Sequence, residues 1–102
     1  MKIGFLLHRG IESAELDRAV ELMREARAKD HEVNLFLMSA GVTALARQEI
    51  AELALAEGAQ VVVCDHNRGQ YAAADNVKGA RYGSQYDLAG IVHDCDRLVT
   101  FA

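Results

Sequence analysis

Val33-Asn34-Leu35-Phe36-Leu37-Met38 is the stretch that decides the fold class. Leu35 to Met38 are apolar without interruption, so neither side of this segment offers a face to water. A strand with one wet side alternates apolar and polar residues, whereas a continuous run points to burial on both sides, as in a parallel sheet covered by helices. Gln60-Val61-Val62-Val63-Cys64 has the same character and reads as a further strand. Lys2 to Leu7 reads as a first strand and Arg97 to Phe101 as a last one. Ala80 to Tyr82 reads as a short strand between them.

Helical periodicity fills the intervals. Over Ala14 to Lys29, Leu16, Ala19, Val20, Leu22, Met23 and Ala26 fall on one face, with Glu15, Asp17, Arg18, Glu21, Arg24 and Arg27 opposite. Ser13 suits the N-cap, and Glu15 and Asp17 suit the first turn, where the helix dipole favours anions. Val42 to Glu57, rich in Ala and Leu, predicts a second helix closed by Gly58. Asn67 to Ala74 predicts a short helix. Ser84 and Asp87 form a Ser-x-x-Asp capping box that launches a helix through Leu88, Ile91 and Val92. Strands alternating with helices predict an α/β fold, a parallel sheet joined by right-handed crossovers.

The 102 residues suit one domain spanning residues 1–102. Proline is absent, and no linker, repeat or low-complexity tract divides the chain. A net charge of −4 without a basic run argues against nucleic acid as a partner, since phosphate binding needs clustered Lys and Arg. No apolar run approaches the roughly 20 residues of a membrane helix. No secretory signal leads the chain, and two cysteines, Cys64 and Cys95, make no disulfide framework, so a cytoplasmic location with reduced thiols is expected.

Cys64 is the residue that carries chemistry. It ends a buried strand and opens the polar stretch Asp65-His66-Asn67-Arg68-Gly69. Open α/β sheets bind ligands at the carboxyl ends of their strands, where connecting loops share one edge. Three loops are expected to converge there: His8-Arg9-Gly10, Ser39-Ala40-Gly41, and Cys64 to Arg68. Cationic neighbours and backbone amides at a helix start stabilise a thiolate, the nucleophilic form of cysteine. His66, Arg68, His8 and Ser39 are the candidate supporting or binding residues. Each also has a plainer role: Cys64 as a small core residue, His66 and His8 as turn residues, Arg68 in a surface pair with Asp65 or Asp75. His31 lies at the opposite edge, His93 at a helix end, and Cys95 reads as a packing residue. Cys64-x-His66, even with His8 added, matches no standard zinc spacing, so no metal is expected. His8-Arg9-Gly10 lacks the glycine spacing of a nucleotide loop, so no cofactor is expected.

The segments Leu35-Phe36-Leu37-Met38-Ser39-Ala40-Gly41-Val42, Val61-Val62-Val63-Cys64 with Arg68-Gly69, Gly83-Ser84-Gln85-Tyr86-Asp87-Leu88-Ala89 and Asp96-Arg97-Leu98-Val99-Thr100-Phe101 together resemble the DsrE/DsrF-like family of YchN- and TusD-like proteins. The resemblance implies a three-layer α/β/α, Rossmann-like fold on a five-stranded parallel sheet, assembled into trimers or hexamers. It also implies sulfur relay, in which a cysteine at the end of the third strand accepts persulfide sulfur from a donor protein and passes it to an acceptor protein. Cys64 holds the matching position. Some members carry Cys-x-x-Cys there; here the second place is Asn67.

Two functions follow as expectations. One is a sulfurtransferase-type sulfur carrier acting through Cys64, either a homo-oligomer or one subunit of a hetero-oligomer. The other is a non-catalytic oligomeric binding or regulatory module in which Cys64 is an incidental thiol.

Overall fold

The computed structural model describes residues 1–102. Strands β1 (Lys2–Leu7), β2 (Glu32–Leu37), β3 (Ala59–Cys64), β4 (Arg81–Gly83) and β5 (Arg97–Phe101) form one sheet in the order β4-β3-β2-β1-β5, parallel throughout. Helices α1 (Ala14–Ala28), α2 (Gln48–Leu55), α3 (Asp65–Gln70) and α4 (Gln85–Asp94) connect the strands, with a 3₁₀ segment at Ser39–Ala46.

Strand order places the helices. From β1 to β4 each step moves the same way across the sheet, and right-handed crossovers keep such connections on one face. The return from β4 to β5 moves the opposite way and puts its helix on the other face. Packing follows this division. Leu16, Ala19, Val20 and Met23 of α1, with Ile50 and Ala54 of α2, join Phe5, Leu7, Val33, Leu35, Leu37, Val61, Val63 and Phe101 in the main core. Phe36, Val62 and Cys64 form a separate small cluster with Leu88 and Ile91 of α4. Neighbours in β2 and β3 therefore enter opposite clusters, which is why those strands are apolar without alternation.

α4 has the whole sheet to cross. Ten residues span about 15 Å, whereas five strands span about 19 Å. It runs from the carboxyl end of β4 to the amino end of β5 and buries none of its residues fully. Gly4 lies beneath its last turn: a Cβ there would stand 3.2 Å from Ile91 Cγ2 and Leu98 Cδ1, and 3.3 Å from Cys95 Sγ. The missing side chain lets the helix end approach the sheet.

Five sequence expectations need correction. The single helix over Val42–Glu57 is broken at Arg47, which is extended (φ −79°, ψ 127°), with 3₁₀ structure before it and α2 after it. Arg47 donates to Glu49 at 3.0 Å and to Asp17 of α1 at 2.7 Å, so tertiary ion pairing fixes a break where propensity alone favours helix. Gly58 does not end that helix. It lies beyond Ala56, the residue that caps α2, and turns the chain into β3 with φ +75°. Leu22 is 44% exposed, off the buried stripe of α1. The short helix starts at Asp65, earlier than the expected Asn67, and β4 is shifted by one residue from the expected Ala80–Tyr82.

Candidate functional site

Cys64 ends β3 and is the residue from which α3 begins, so its thiol is held between a sheet register and a helix start. In register, Val63 stands beside Leu37 of β2, and Cys64 beside Gly83 of β4. The side chain faces the α4 side of the sheet, packed with Phe36 and Val62 and flanked by Leu6, Met38, Leu88 and Ile91. It is 5% exposed. Even so, Cys64 lines an open cavity of about 670 Å³. Met38 and Ser39 wall it from the chain leaving β2, His66 and Asn67 from α3, and Tyr82 to Gln85 from the corner between β4 and α4. The thiol thus has an apolar back and a polar front.

Each wall has a local cause. Ser84 caps α4 through its side-chain oxygen, which accepts from Tyr86 N at 3.2 Å, while Ser84 N donates to Asp87 Oδ2 at 2.8 Å. This capping box sets where α4 starts, and its amino end, the positive end of the helix dipole, faces the cavity. Tyr82 holds the loop leading to β4: its hydroxyl donates to Ala74 O at 2.9 Å and accepts from Val77 N at 3.2 Å. Ser39 carries φ +53°, a left-handed conformation unusual for serine, and its N–H donates to Asn67 Oδ1 at 2.9 Å.

The expected supporting residues separate. His66 and Ser39 share the cavity with Cys64. Arg68 turns away to donate to Asp65 Oδ1 at 2.9 Å and to Ala73 O at 3.3 Å, the first of which raises its pKa. Of the two carboxylates open to it, Asp65 takes the guanidinium. His8 lines a different cavity of about 600 Å³, with Arg9 to Ser13, Ala40, Thr43 and Tyr71. Arg9 is tied to the residue that follows β5 by donation to Ala102 O at 2.7 Å. The three loops therefore do not meet at one point: the loop after β2 touches both cavities, and the loop after β1 only the second. No three His, Cys, Asp or Glu side chains are grouped to hold a metal ion.

Asn67, Met38 and the Tyr82–Gln85 corner were not singled out as site residues from sequence. The Ser84 capping box was legible, but only as a helix start. That this start lies beside Cys64 depends on β4 pairing with β3, which no local pattern states.

Residues 1–101 match the family model described as DsrE/DsrF-like. The chain belongs to the DsrE/DsrF-like family. Among solved structures, the fold is similar to the crystal structure of the YchN protein from E. coli, with a TM-score of 0.85 and 23% sequence identity over 99% of each chain. Identity at that level speaks for a shared fold. No curated protein matches the chain in sequence. The family's five-stranded parallel α/β architecture is the one found here, and no helix is long and apolar enough to cross a membrane.

Proposed function

We propose that this DsrE-like protein is a sulfur carrier that holds sulfane sulfur on Cys64 and relays it between partner proteins. The observation that carries the reading is the setting of the sulfur atom. Cys64 is recessed to 5% exposure, yet it lies on the wall of an open cavity at the carboxyl edge of the sheet. A carried persulfide has to be kept from stray thiols between encounters and remain reachable by a fitted partner. A thiol backed by Phe36, Val62 and Leu88, with a polar mouth, suits both demands.

The chemistry is two displacements. The Cys64 thiolate attacks the outer sulfur of a donor's persulfide; the new S–S bond forms at Cys64, the donor's S–S bond breaks, and the donor leaves as a thiolate. An acceptor thiolate then attacks the outer sulfur on Cys64 and restores the Cys64 thiolate. Electrons balance at each step, so neither a cofactor nor a metal is called for. The positive end of the α4 dipole and the His66 side chain are the groups suited to the anionic partners. Family membership supports the same reading.

Incubation with a persulfide donor followed by intact-mass measurement tests it. The parent protein and Cys95→Ser are expected to gain the mass of one sulfur atom, and Cys64→Ser none. Equal uptake by Cys64→Ser would defeat the reading.

The burial of Cys64 also favours a second reading, a binding module in which this thiol is incidental. Alkylation near neutral pH separates the two, because the module predicts a Cys64 no faster than Cys95. Both readings include self-association, with the α4 side of the sheet, where Tyr86 (86% exposed), Val92 and Leu98 are exposed, as the surface proposed to meet a second copy. A monomer by light scattering at micromolar concentration would remove that part.

A further inference from the structure

We propose that Asn67 is a positioning residue of the Cys64 site, pinning Ser39 in its left-handed conformation and so holding Met38 against the thiol. The inference rests on the sulfur-carrier reading for its purpose but not for its geometry. Asn67 stands three residues after Cys64, in α3. Its amide is fixed at both ends: Nδ2 donates to Gln70 Oε1 at 2.7 Å, which leaves Oδ1 to accept from Ser39 N at 2.9 Å. This bond joins the chain leaving β2 to the chain leaving β3, 28 residues apart in sequence.

The bond acts where the backbone most needs it. Ser39 has φ +53°, which a residue bearing a Cβ holds only when its surroundings impose it. Met38, the residue before it, packs against the Phe36, Val62 and Cys64 cluster and lines the same cavity as the thiol. Release of Ser39 lets it relax towards ordinary φ values, and Met38 then leaves the sulfur. Asn67 therefore controls how often the cavity opens to a small molecule. A cysteine at position 67 would supply a second thiol but no comparable acceptor for Ser39 N.

The test reads alkylation of Cys64 by iodoacetamide in a Cys95→Ser background, which needs no sulfur loading. Asn67→Ala is expected to react roughly two- to tenfold faster, the population change that one net hydrogen bond is worth. Asn67→Asp keeps an acceptor for Ser39 N and should react no faster than the parent, since its added negative charge in the same cavity also disfavours the thiolate. Adding Ser39→Gly to Asn67→Ala should return the rate to that of the parent, because glycine adopts the left-handed conformation without help. A merely structural loss at Asn67 would not be repaired by that second change. Gln70→Ala, which frees only the far end of the amide, is the milder variant and should accelerate in the same direction.

Equal rates in parent, Asn67→Ala and Gln70→Ala would overturn the proposal, as would a double variant as fast as Asn67→Ala. On sulfur-loaded protein, a small thiolate attacks the outer persulfide sulfur, takes it up as its own persulfide and leaves Cys64 as a thiolate. Asn67→Ala should lose its sulfur faster by the same factor. If no variant loads sulfur, the carrier reading fails while the alkylation series still decides the role of Asn67.

Discussion

On the α1/α2 side of the sheet, the strand residues facing the helices are apolar except for Arg97 at the start of the edge strand β5, and those of β2 and β3 are buried from Val33 to Leu37 and from Val61 to Val63. On the α4 side only the part around Phe36, Val62 and Cys64 is buried. Towards the amino ends of the strands, that side carries Lys2, Glu32, Asn34, Gln60 and Arg81, which line a cavity of about 330 Å³ beneath Tyr86, Asp87, Gly90 and Asp94. One face is a core and the other is mostly a surface with a small core under one helix. Two helices and a long loop serve the first, while a single helix must cross the second. The contrast shows how a short chain can keep a stable sheet and still leave a thiol beside open space.

The largest expected effect tests whether stability resides on the first face. Leu35→Ala is expected to cost about 2–5 kcal/mol, because a fully buried leucine leaves a cavity the sheet cannot close. Gln60→Ala, on the neighbouring strand but facing the open side, should stay within about 0.5 kcal/mol. Urea unfolding of the two variants measures the difference, and comparable losses would erase the distinction between the faces.

A smaller effect concerns how α4 is held. With no fully buried residue, this helix relies on its cap. Ser84→Ala is expected to cost about 1 kcal/mol and to raise amide exchange along Gln85–Asp94, leaving α1 unchanged. Protection of α4 equal to that in the parent would show that Leu88 and Ile91 suffice to dock it.

The smallest effect lies on the α1/α2 side, where Arg47 closes the helix break. The Arg47 side chain, by hydrogen bonding, holds the Glu49 carboxyl below its usual value of 4.5. A depressed carboxylate contributes stability above its unfolded value and loses it as pH falls through its folded value. Glu49→Gln should therefore be slightly less stable than the parent at neutral pH, with the gap closing below the ordinary carboxylate range. Both groups are solvated, which keeps the effect small. Thermal unfolding from neutral to acid pH checks it, and a gap that widened in acid would reverse the assignment.

The strands were the legible part of this sequence. Lys2–Leu7 and Arg97–Phe101 match their expected bounds, because apolar runs bounded by polar loops need no distant information. The helix at Val42–Glu57 was misread because its composition favours continuity, while the break at Arg47 depends on Asp17, 30 residues away. Cys64 was legible as the end of a strand, but the cavity before it was not. Two of its walls come from strands that flank β3 only after the sheet has formed. Arg68, adjacent to the site in sequence, belongs to Asp65 instead, since an i,i+3 pair on α3 lies closer than the thiol's side of the sheet.

Sequence alone determined that this chain makes a parallel α/β sheet, since unbroken apolar strands between amphipathic helices have no other way to bury both faces. It also determined that one of its two cysteines stands at a strand's carboxyl end. Tertiary structure decided that this thiol is recessed yet borders open space, that His66 and Ser39 accompany it while His8 does not, and that Asn67 ties two loops together. Those outcomes follow from strand order and from a single helix too short for the face it crosses, and contacts between distant segments leave no periodic trace in a linear pattern.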